Sequence, residues 1–325
     1  MRIAVLGAGA WGTALASHAS SRHEVALWSR DPAVADAIRR HRRNDRYLPE
    51  VELPAGVVAT SRLDEALAGA DLLVIATSVA GLKPVMQAIA PSGQGAVTWL
   101  CKGLSADTGE LPHAIVAGIS PDWQAGCLSG PSFAQEVAAG LPVALTAAAS
   151  DDALALRMVE AFHHGAMRVY RSADLRGVEI AGALKNVMAV ATGISDGLGL
   201  GLNARAALLT RGLAEMTRFG LAKGAQAETF MGLSGIGDLV LTCTGDLSRN
   251  RTVGLRLAQG LALDQILERL GHVAEGVACC RAVVAAAHEA GVEMPVSEAV
   301  LAVIESRLSP SDAVASLLAR EPKAE

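Results

Sequence analysis

Aromatic residues are scarce in this 325-residue chain, with four tryptophans, two tyrosines and four phenylalanines making up 3% of it. Since 51% of the residues are hydrophobic, the core has to be assembled mainly from Ala, Leu and Val. Cysteine is also sparse: Cys101, Cys127, Cys243, Cys279 and Cys280 are an odd number, with no C-x-x-C spacing and no paired histidines. That argues against a disulfide framework or a zinc site, so no metal is expected, and it suits a reducing cytoplasm. No long basic run exists, and the formal net charge is −5, so nucleic acid is not the expected partner. The one cationic cluster, Arg39-Arg40-His41-Arg42-Arg43, reads as a solvated face. Apolar stretches are interrupted by Pro142, Lys185 or Asp196 before they reach the ~18–20 residues of a membrane span. The first strand pattern begins almost at Met1, so no signal peptide is expected ahead of it, nor a stable membrane anchor.

What the chain does have is a glycine motif at its start. Ile3–Leu6 is a short apolar run ending in Gly7-Ala8-Gly9-Ala10-Trp11-Gly12, and helix formers follow from Thr13. Strand, G-x-G-x-x-G, helix is the order a dinucleotide-binding turn requires. Gly7 permits the tight turn, Gly9 lets backbone approach a pyrophosphate, and Gly12 lets helix lie close to strand. The helix N-terminus then offers unpaired N–H groups and partial positive charge. A plain glycine turn is the alternative.

Glu24–Trp28 reads as the second strand of this unit. An Asp or Glu at its end holds a ribose 2′-hydroxyl, whereas an Arg accommodates a 2′-phosphate. Ser29-Arg30-Asp31-Pro32 stands there, and Arg30 suits a phosphate dianion. The expectation is NADP(H), with NAD(H) tolerated because Asp31 lies close enough to compete; a solvated Arg before a Pro turn is the alternative.

Further strands are predicted at Gly56–Thr60, Asp71–Thr77, Ala96–Cys101, Gly126–Ser129 and Pro142–Ala147, with short helices such as Asp64–Ala68 and Ala80–Ala90 between them. This alternation implies an α/β fold, an N-terminal Rossmann-type, doubly wound and mostly parallel sheet. Two loops after strand ends, Cys101-Lys102-Gly103 and Ser129-Gly130-Pro131-Ser132-Phe133-Ala134, fall where such sheets bind ligands. From about Arg176 helical patterns take over: Gly177–Thr192, Ala204–Phe219, Thr252–Gln259, Asp264–Leu270, Cys279–Glu289 and Val296–Glu305. The reading is a dinucleotide-binding domain over 1–176 and an all-helical substrate-binding domain over 177–325, with a cleft between the two as the natural place for a substrate.

Lys185 is the odd residue of its helix, with Ala181, Gly182, Met188 and Ala189 as its i±3 and i±4 neighbours and no carboxylate among them. It either snorkels to solvent or is desolvated, which lowers its pKa and lets it act as general acid or base. Asp238 closes the glycine-rich run Gly232-Leu233-Ser234-Gly235-Ile236-Gly237 and is either an Asx-turn former or a ligand group. Ser248 is a good N-cap, but Arg249 in the first turn of that helix opposes the helix dipole. A bound phosphate would supply the missing negative partner, so Ser248-Arg249-Asn250 reads as a phosphate site; a merely capped surface helix is the alternative.

These runs carry a resemblance. GAGAWGTALA, Cys101-Lys102-Gly103, GPSFAQEVAAG, AGALKNVMAVATG, NARAALLTRGLAEM, GLSGIGDLVLTCT and SRNR stand in the same order as in bacterial NAD(P)-dependent glycerol-3-phosphate dehydrogenases, which the chain resembles over nearly its whole length. The resemblance implies reduction of dihydroxyacetone phosphate to sn-glycerol 3-phosphate for phospholipid synthesis. It implies Lys185 as the catalytic proton donor and acceptor. It also implies substrate contacts from Lys102, Gly130, Ser132, Asp238, Ser248, Arg249 and Asn250, and cofactor contacts from Ala10, Trp11, Arg30, Lys102, Ala134, Arg249, Val273 and Glu275. Three positions depart from the family pattern: Ala10 replaces a frequent Ser, Ser234 a frequent Ala, and Asp246 adds a charge near the phosphate site.

Other readings are a two-domain dehydrogenase for another hydroxy acid or sugar phosphate, and a nucleotide-sensing protein without turnover. The first would leave Ser248-Arg249-Asn250 without purpose unless its substrate carries a phosphate, and the second would leave Lys185 without one. A homodimer fits the apolar helical half, though the sequence does not locate its face. The reading of Arg30 generates a direct test. Arg30→Glu is expected to weaken NADPH binding much more than NADH binding in fluorescence titrations, and equal weakening would overturn it.

Overall fold

The computed structural model describes residues 1–93, 95–270 and 274–319. The chain divides into two compact units: Met1–Lys102 with Leu111–Val178, and Gly103–Glu110 with the residues from Glu179 onward. The division falls inside the helix Leu175–Gly197.

The first unit is built on strands β1 (Arg2–Leu6), β2 (Glu24–Trp28), β5 (Val57–Thr60), β6 (Leu72–Ile75), β7 (Ala96–Trp99), β8 (Gln124–Ser129), β9 (Val143–Ala149) and β10 (Met167–Ser172). They form one sheet in the order β10-β9-β8-β7-β6-β1-β2-β5. Every neighbouring pair is parallel except β8 with β9. Such strands are covered on both faces and read as unbroken apolar runs. In β1, Ile3 and Val5 enter one core while Ala4 and Leu6 enter the other. From β1 the chain builds outward through β2 and β5, then returns to place β6 on the other side of β1. The switch point is therefore at the C-terminal ends of β1 and β6, the position at which open α/β sheets bind ligands.

Two features of this unit differ from the pattern read in the sequence. The edge strand β10 was not anticipated, because Arg168, Tyr170 and Arg171 interrupt its apolar content; Met167 and Val169 alternate with them and point inward. Between β2 and β5 a small antiparallel hairpin forms from β3 (Arg43–Asn44) and β4 (Leu48–Glu52). It stands on the cationic cluster that read as a solvated face. Arg39, Arg40 and His41 are exposed and complete the last turn of the helix Pro32–His41, favourably for its dipole. Arg42 is not merely solvated: it takes the left-handed cap conformation (φ 55°), and its guanidinium donates to the Leu53 and Val57 carbonyls.

The second unit is helical. Leu175–Gly197 has the length and mean hydropathy (1.2) of a membrane span, but that apolar window is entirely buried in the fold, as befits a core helix. Gly201–Ala222, Arg249–Ala258, Glu275–Glu289 and Pro295–Ile304 are among the helices around it. Arg249–Ala258 approaches Leu175–Gly197 backbone to backbone, since a Cβ on Gly254 would overlap the Val190 carbonyl oxygen. This close approach brings the start of one helix beside the middle of the other.

A histidine stack in the first unit couples its stability to pH. The rings of His18 and His164 lie 4.0 Å apart and 8° from parallel, and His18 Nε2 meets the Phe162 carbonyl at 3.0 Å. Burial lowers the pKa of His18, and burial followed by the nearby His18, Arg22 and His23 pushes His164 down to about 4. The native state therefore keeps these rings neutral where the unfolded chain binds protons. Their contribution is present above the ordinary histidine range and is lost as pH falls from about 6.5 towards about 4. Urea unfolding between pH 7 and 4.5 is expected to lose stability more steeply for the wild-type chain than for His164→Gln; parallel curves would refute the assignment.

Candidate active site

The glycine motif folds as a turn from β1 into the helix Ala10–Ala19. Gly7 has φ +130°, and a Cβ there would stand 2.8 Å from the Ala76 carbonyl oxygen just beyond β6. At Gly12 a Cβ would overlap the Gly7 carbonyl. Gly9 is different, for its Cβ would meet nothing closer than Ala76 O at 4.0 Å, so packing within the protein does not require glycine there. Gly9 is also the helix N-cap and supplies no side-chain hydrogen bond, so the first-turn N–H groups have no side-chain cap. Open space in front of an uncapped helix N-terminus fits the pyrophosphate of a dinucleotide. Half-buried Ala10 and Trp11 stand in that first turn.

Arg30 is exposed just beyond β2. Asp31, whose carboxylate could have held a ribose, is engaged otherwise. It caps the helix Pro32–His41 by accepting from Ala33 N at 3.0 Å, and it pairs with Arg46 at 3.2 Å. Asn44 is 1% exposed, and its Nδ2 donates to the Ala8 carbonyl at 2.9 Å and to Thr13 Oγ1 at 2.8 Å. It thus ties the hairpin to the glycine turn.

Beyond β7 and β8, Lys102 Nζ and Ser132 Oγ donate to the same carbonyl, that of Gly130, at 3.0 and 3.1 Å. Gly130 has φ +124°, a conformation that favours glycine. Ala134 opens the short helix that follows.

In the second unit Lys185 is buried, 7% exposed, which rules out snorkelling. Its Nζ lies 2.6 Å from Asp238 Oδ1 and 2.9 Å from Thr242 Oγ1. The carboxylate missing from the i±3 and i±4 positions of Lys185 comes from the first turn of Asp238–Thr244 and is itself 1% exposed. Thr242 Oγ1 donates to the Asp238 backbone carbonyl at 2.6 Å, which leaves its lone pairs to the ammonium. Asn186, the next residue after Lys185, accepts from Asn250 Nδ2 at 2.9 Å, and Asn250 Oδ1 accepts from Gly276 N at 3.0 Å. Ser248 caps Arg249–Ala258 by accepting from Arg251 N at 3.3 Å; Arg249 is exposed and Asn250 buried. A buried ammonium held by a carboxylate can exchange a proton with a bound oxygen, and the adjacent helix start can hold an anion.

The family model of the NAD-dependent glycerol-3-phosphate dehydrogenase N-terminus matches residues 2–155, and that of the C-terminus matches residues 174–315. The chain belongs to this family. It is an oxidoreductase. Among relatives, a glycerol-3-phosphate dehydrogenase [NAD(P)+] of Ralstonia nicotianae is 58% identical, over 100% of this chain and 99% of its own. One of Variovorax paradoxus is also 58% identical, over 99% and 98%. The crystal structure of a glycerol-3-phosphate dehydrogenase from Coxiella burnetii superposes with a TM-score of 0.94 at 39% identity, covering 98% of this chain and 99% of that one.

Within the family frame, Glu275 is half-buried in the first turn of Glu275–Glu289, while Val273 lies outside the described residues. The charge that Asp246 adds is answered locally: this 97% exposed carboxylate pairs with Arg251 at 2.9 Å, and Arg251 also binds the half-buried Asp196 at 2.8 Å. Thr242, Asn186 and Asn44, which reading the sequence did not single out, are hydrogen-bonded to candidate residues or to the glycine turn. Thr242 stands one helical turn after Asp238, a spacing that could have flagged it. Asn44 offers no such signal. The thiol of Cys243, next to Thr242, is pushed up to about 12 by burial, which disfavours the thiolate.

The glycine geometry separates a binding role from a packing role. Gly12→Ala is expected to destabilise the first unit by roughly 1–3 kcal/mol or more through overpacking. Gly9→Ala should leave the melting temperature near the wild-type value while weakening NADPH by about tenfold, or ~1.4 kcal/mol. Thermal unfolding and NADPH titration of both variants check this.

Proposed function

We propose that this chain interconverts dihydroxyacetone phosphate and sn-glycerol 3-phosphate, with NADP(H) as preferred cofactor and NAD(H) accepted. What carries the reading is the pairing of roles on adjacent residues: Lys185 is next to Asn186, Arg249 is next to Asn250, and the two asparagines are hydrogen-bonded at 2.9 Å. A proton donor and an anion-binding helix start are thereby held at a fixed spacing, which suits a small substrate carrying a ketone and a phosphate.

The nicotinamide cofactor supplies or takes the hydride. In the reducing direction Lys185, as an ammonium, polarises the C2 carbonyl and gives its proton to the forming alkoxide, then regains one from solvent. Asp238 and Thr242 hold that ammonium in place. Ser248, Arg249 and Asn250 receive the substrate phosphate at the start of their helix. Lys102, Gly130 and Ser132 add substrate contacts from the loops after β7 and β8. Gly7, Gly9, Ala10, Trp11 and Gly12 would hold the cofactor pyrophosphate and Arg30 its 2′-phosphate, with Lys102, Ala134, Arg249 and Glu275 as further cofactor contacts.

The enzyme works in the cytoplasm on a small phosphorylated substrate, without nucleic acid or a stable membrane anchor, and its product feeds phospholipid synthesis. The exposed Leu200, Leu202 and Leu221 are compatible with a homodimer.

Following NADPH absorbance with dihydroxyacetone phosphate, against unphosphorylated hydroxyketones and 2-oxo acids, tests the assignment directly. Turnover of the unphosphorylated compounds at equal kcat/KM would instead favour the hydroxy-acid reading. Lys185→Ala is expected to lower kcat by roughly 100-fold or more with little change in KM. Since it strands the buried Asp238 carboxylate, retained NADPH binding and a cooperative thermal transition serve as folding controls. A raised KM with near-normal kcat would make Lys185 a binding residue only.

A further inference from the structure

We infer that Asn44 is a positioning residue for the cofactor, setting the direction in which the glycine turn presents its backbone N–H groups. The inference rests on the reading of that turn as a pyrophosphate site.

The peptide that joins Ala8 to Gly9 carries both the Ala8 carbonyl and the Gly9 N–H. In a planar trans peptide the C=O and the N–H point in opposite directions. Asn44 Nδ2 holds the Ala8 carbonyl at 2.9 Å, which directs the Gly9 N–H away from the hairpin. The same Nδ2 binds Thr13 Oγ1 at 2.8 Å, and Thr13 N donates to the Gly9 carbonyl at 2.9 Å, closing the first helical turn. One buried carboxamide therefore grips the turn and the helix start together. An apolar residue of the same size could fill the space but could not hold the carbonyl.

Asn44 has in turn been fixed by its hairpin. Its Oδ1 accepts from Tyr47 N at 3.3 Å. The register between β3 and β4 shifts at Arg43/Asn44, where Arg43 is exposed and Asn44 is buried. Arg42 anchors the base of the hairpin through the Leu53 and Val57 carbonyls, and Leu53 N donates back to the Arg42 carbonyl at 2.7 Å.

Three ligands distinguish orientation of the turn from general support of the fold: NADPH, ADP-ribose, which has the pyrophosphate, and adenosine 2′-monophosphate, which lacks it. Calorimetric titration of Asn44→Ala is expected to show NADPH and ADP-ribose weakened by at least about tenfold and adenosine 2′-monophosphate unchanged within about twofold. The KM for dihydroxyacetone phosphate should not move. Thr13→Val, which removes one partner of Asn44 but leaves the Ala8 carbonyl held, should retain ADP-ribose affinity. Should Asn44→Ala not fold, Asn44→Ser, too short to reach Ala8, carries the same expectation. Equal weakening of ADP-ribose and adenosine 2′-monophosphate, or ADP-ribose affinity unchanged, would overturn the role of Asn44 alone. A wild-type chain that binds none of the three overturns the dinucleotide reading and the inference with it.

Discussion

The second unit depends on how it accommodates one ammonium away from water. Removing a charge from water costs several kcal/mol even after relaxation, and a buried lysine persists only with a well-placed partner. Asp238 meets Lys185 at 2.6 Å and Thr242 meets it at 2.9 Å, so the charge is matched and hydrogen-bonded. The glycine-rich run before Asp238 departs from regular α-helix: Leu233–Gly237 is wound more loosely, with Gly235 at non-helical angles. A Cβ on Gly235 would overlap the backbone of Phe230, so the loosened turn lies tight against the preceding segment and delivers Asp238 at the start of the next helix. An ion pair of this kind is weak evidence for stability. Its better justification is the proposed chemistry, in which it holds a proton donor in one place.

Both units present a helix N-terminus, and they treat it in opposite ways. Ala10–Ala19 begins at a glycine with no side-chain cap and with open space before it. Arg249–Ala258 begins at Ser248, whose hydroxyl already accepts from Arg251 N. The first therefore leaves its orphan N–H groups to a ligand and relies on backbone alone. In the second, part of that capacity is used internally, and the cation in its first turn, Arg249, is what makes the site attractive to an anion. A pyrophosphate spread along a turn suits the first arrangement, and a terminal phosphate dianion suits the second.

What could be read from the sequence was whatever is local. The strand, glycine turn and helix at Met1–Ala19 are contiguous, as are the apolar runs of β1, β2 and β6, and each declares itself within a dozen residues. Ser248 as a cap and Lys185 as an anomaly on an apolar helix are equally short-range. The partners were not legible: Asp238 is 53 residues from Lys185, Asn250 is 64 from Asn186, and Asn44 is 36 from Ala8. No periodicity links such pairs; only the packing does. The cationic cluster shows the cost of a purely local reading. Five basic or titratable residues in a row resemble a solvated face, yet Arg42 turns inward to hold backbone carbonyls and Asn44 follows it into the core.

The charge balance at the proposed phosphate site follows from the same packing. Asp246 would repel a phosphate if its field were unopposed. It pairs with Arg251, which also binds Asp196, and Asp196 binds Arg205 at 2.8 Å. Two cations and two anions thus close into one neutral network, whose inner pair is half-buried and less screened than a surface pair. Exposed Asp246 contributes little to stability there, since surface ion pairs rarely do. Its effect is to complete the neutrality of Arg251. Arg249, on the first turn and outside that network, then becomes the cation that sets the sign of the helix start. The additional acid therefore narrows the attraction for a phosphate to one guanidinium rather than abolishing it.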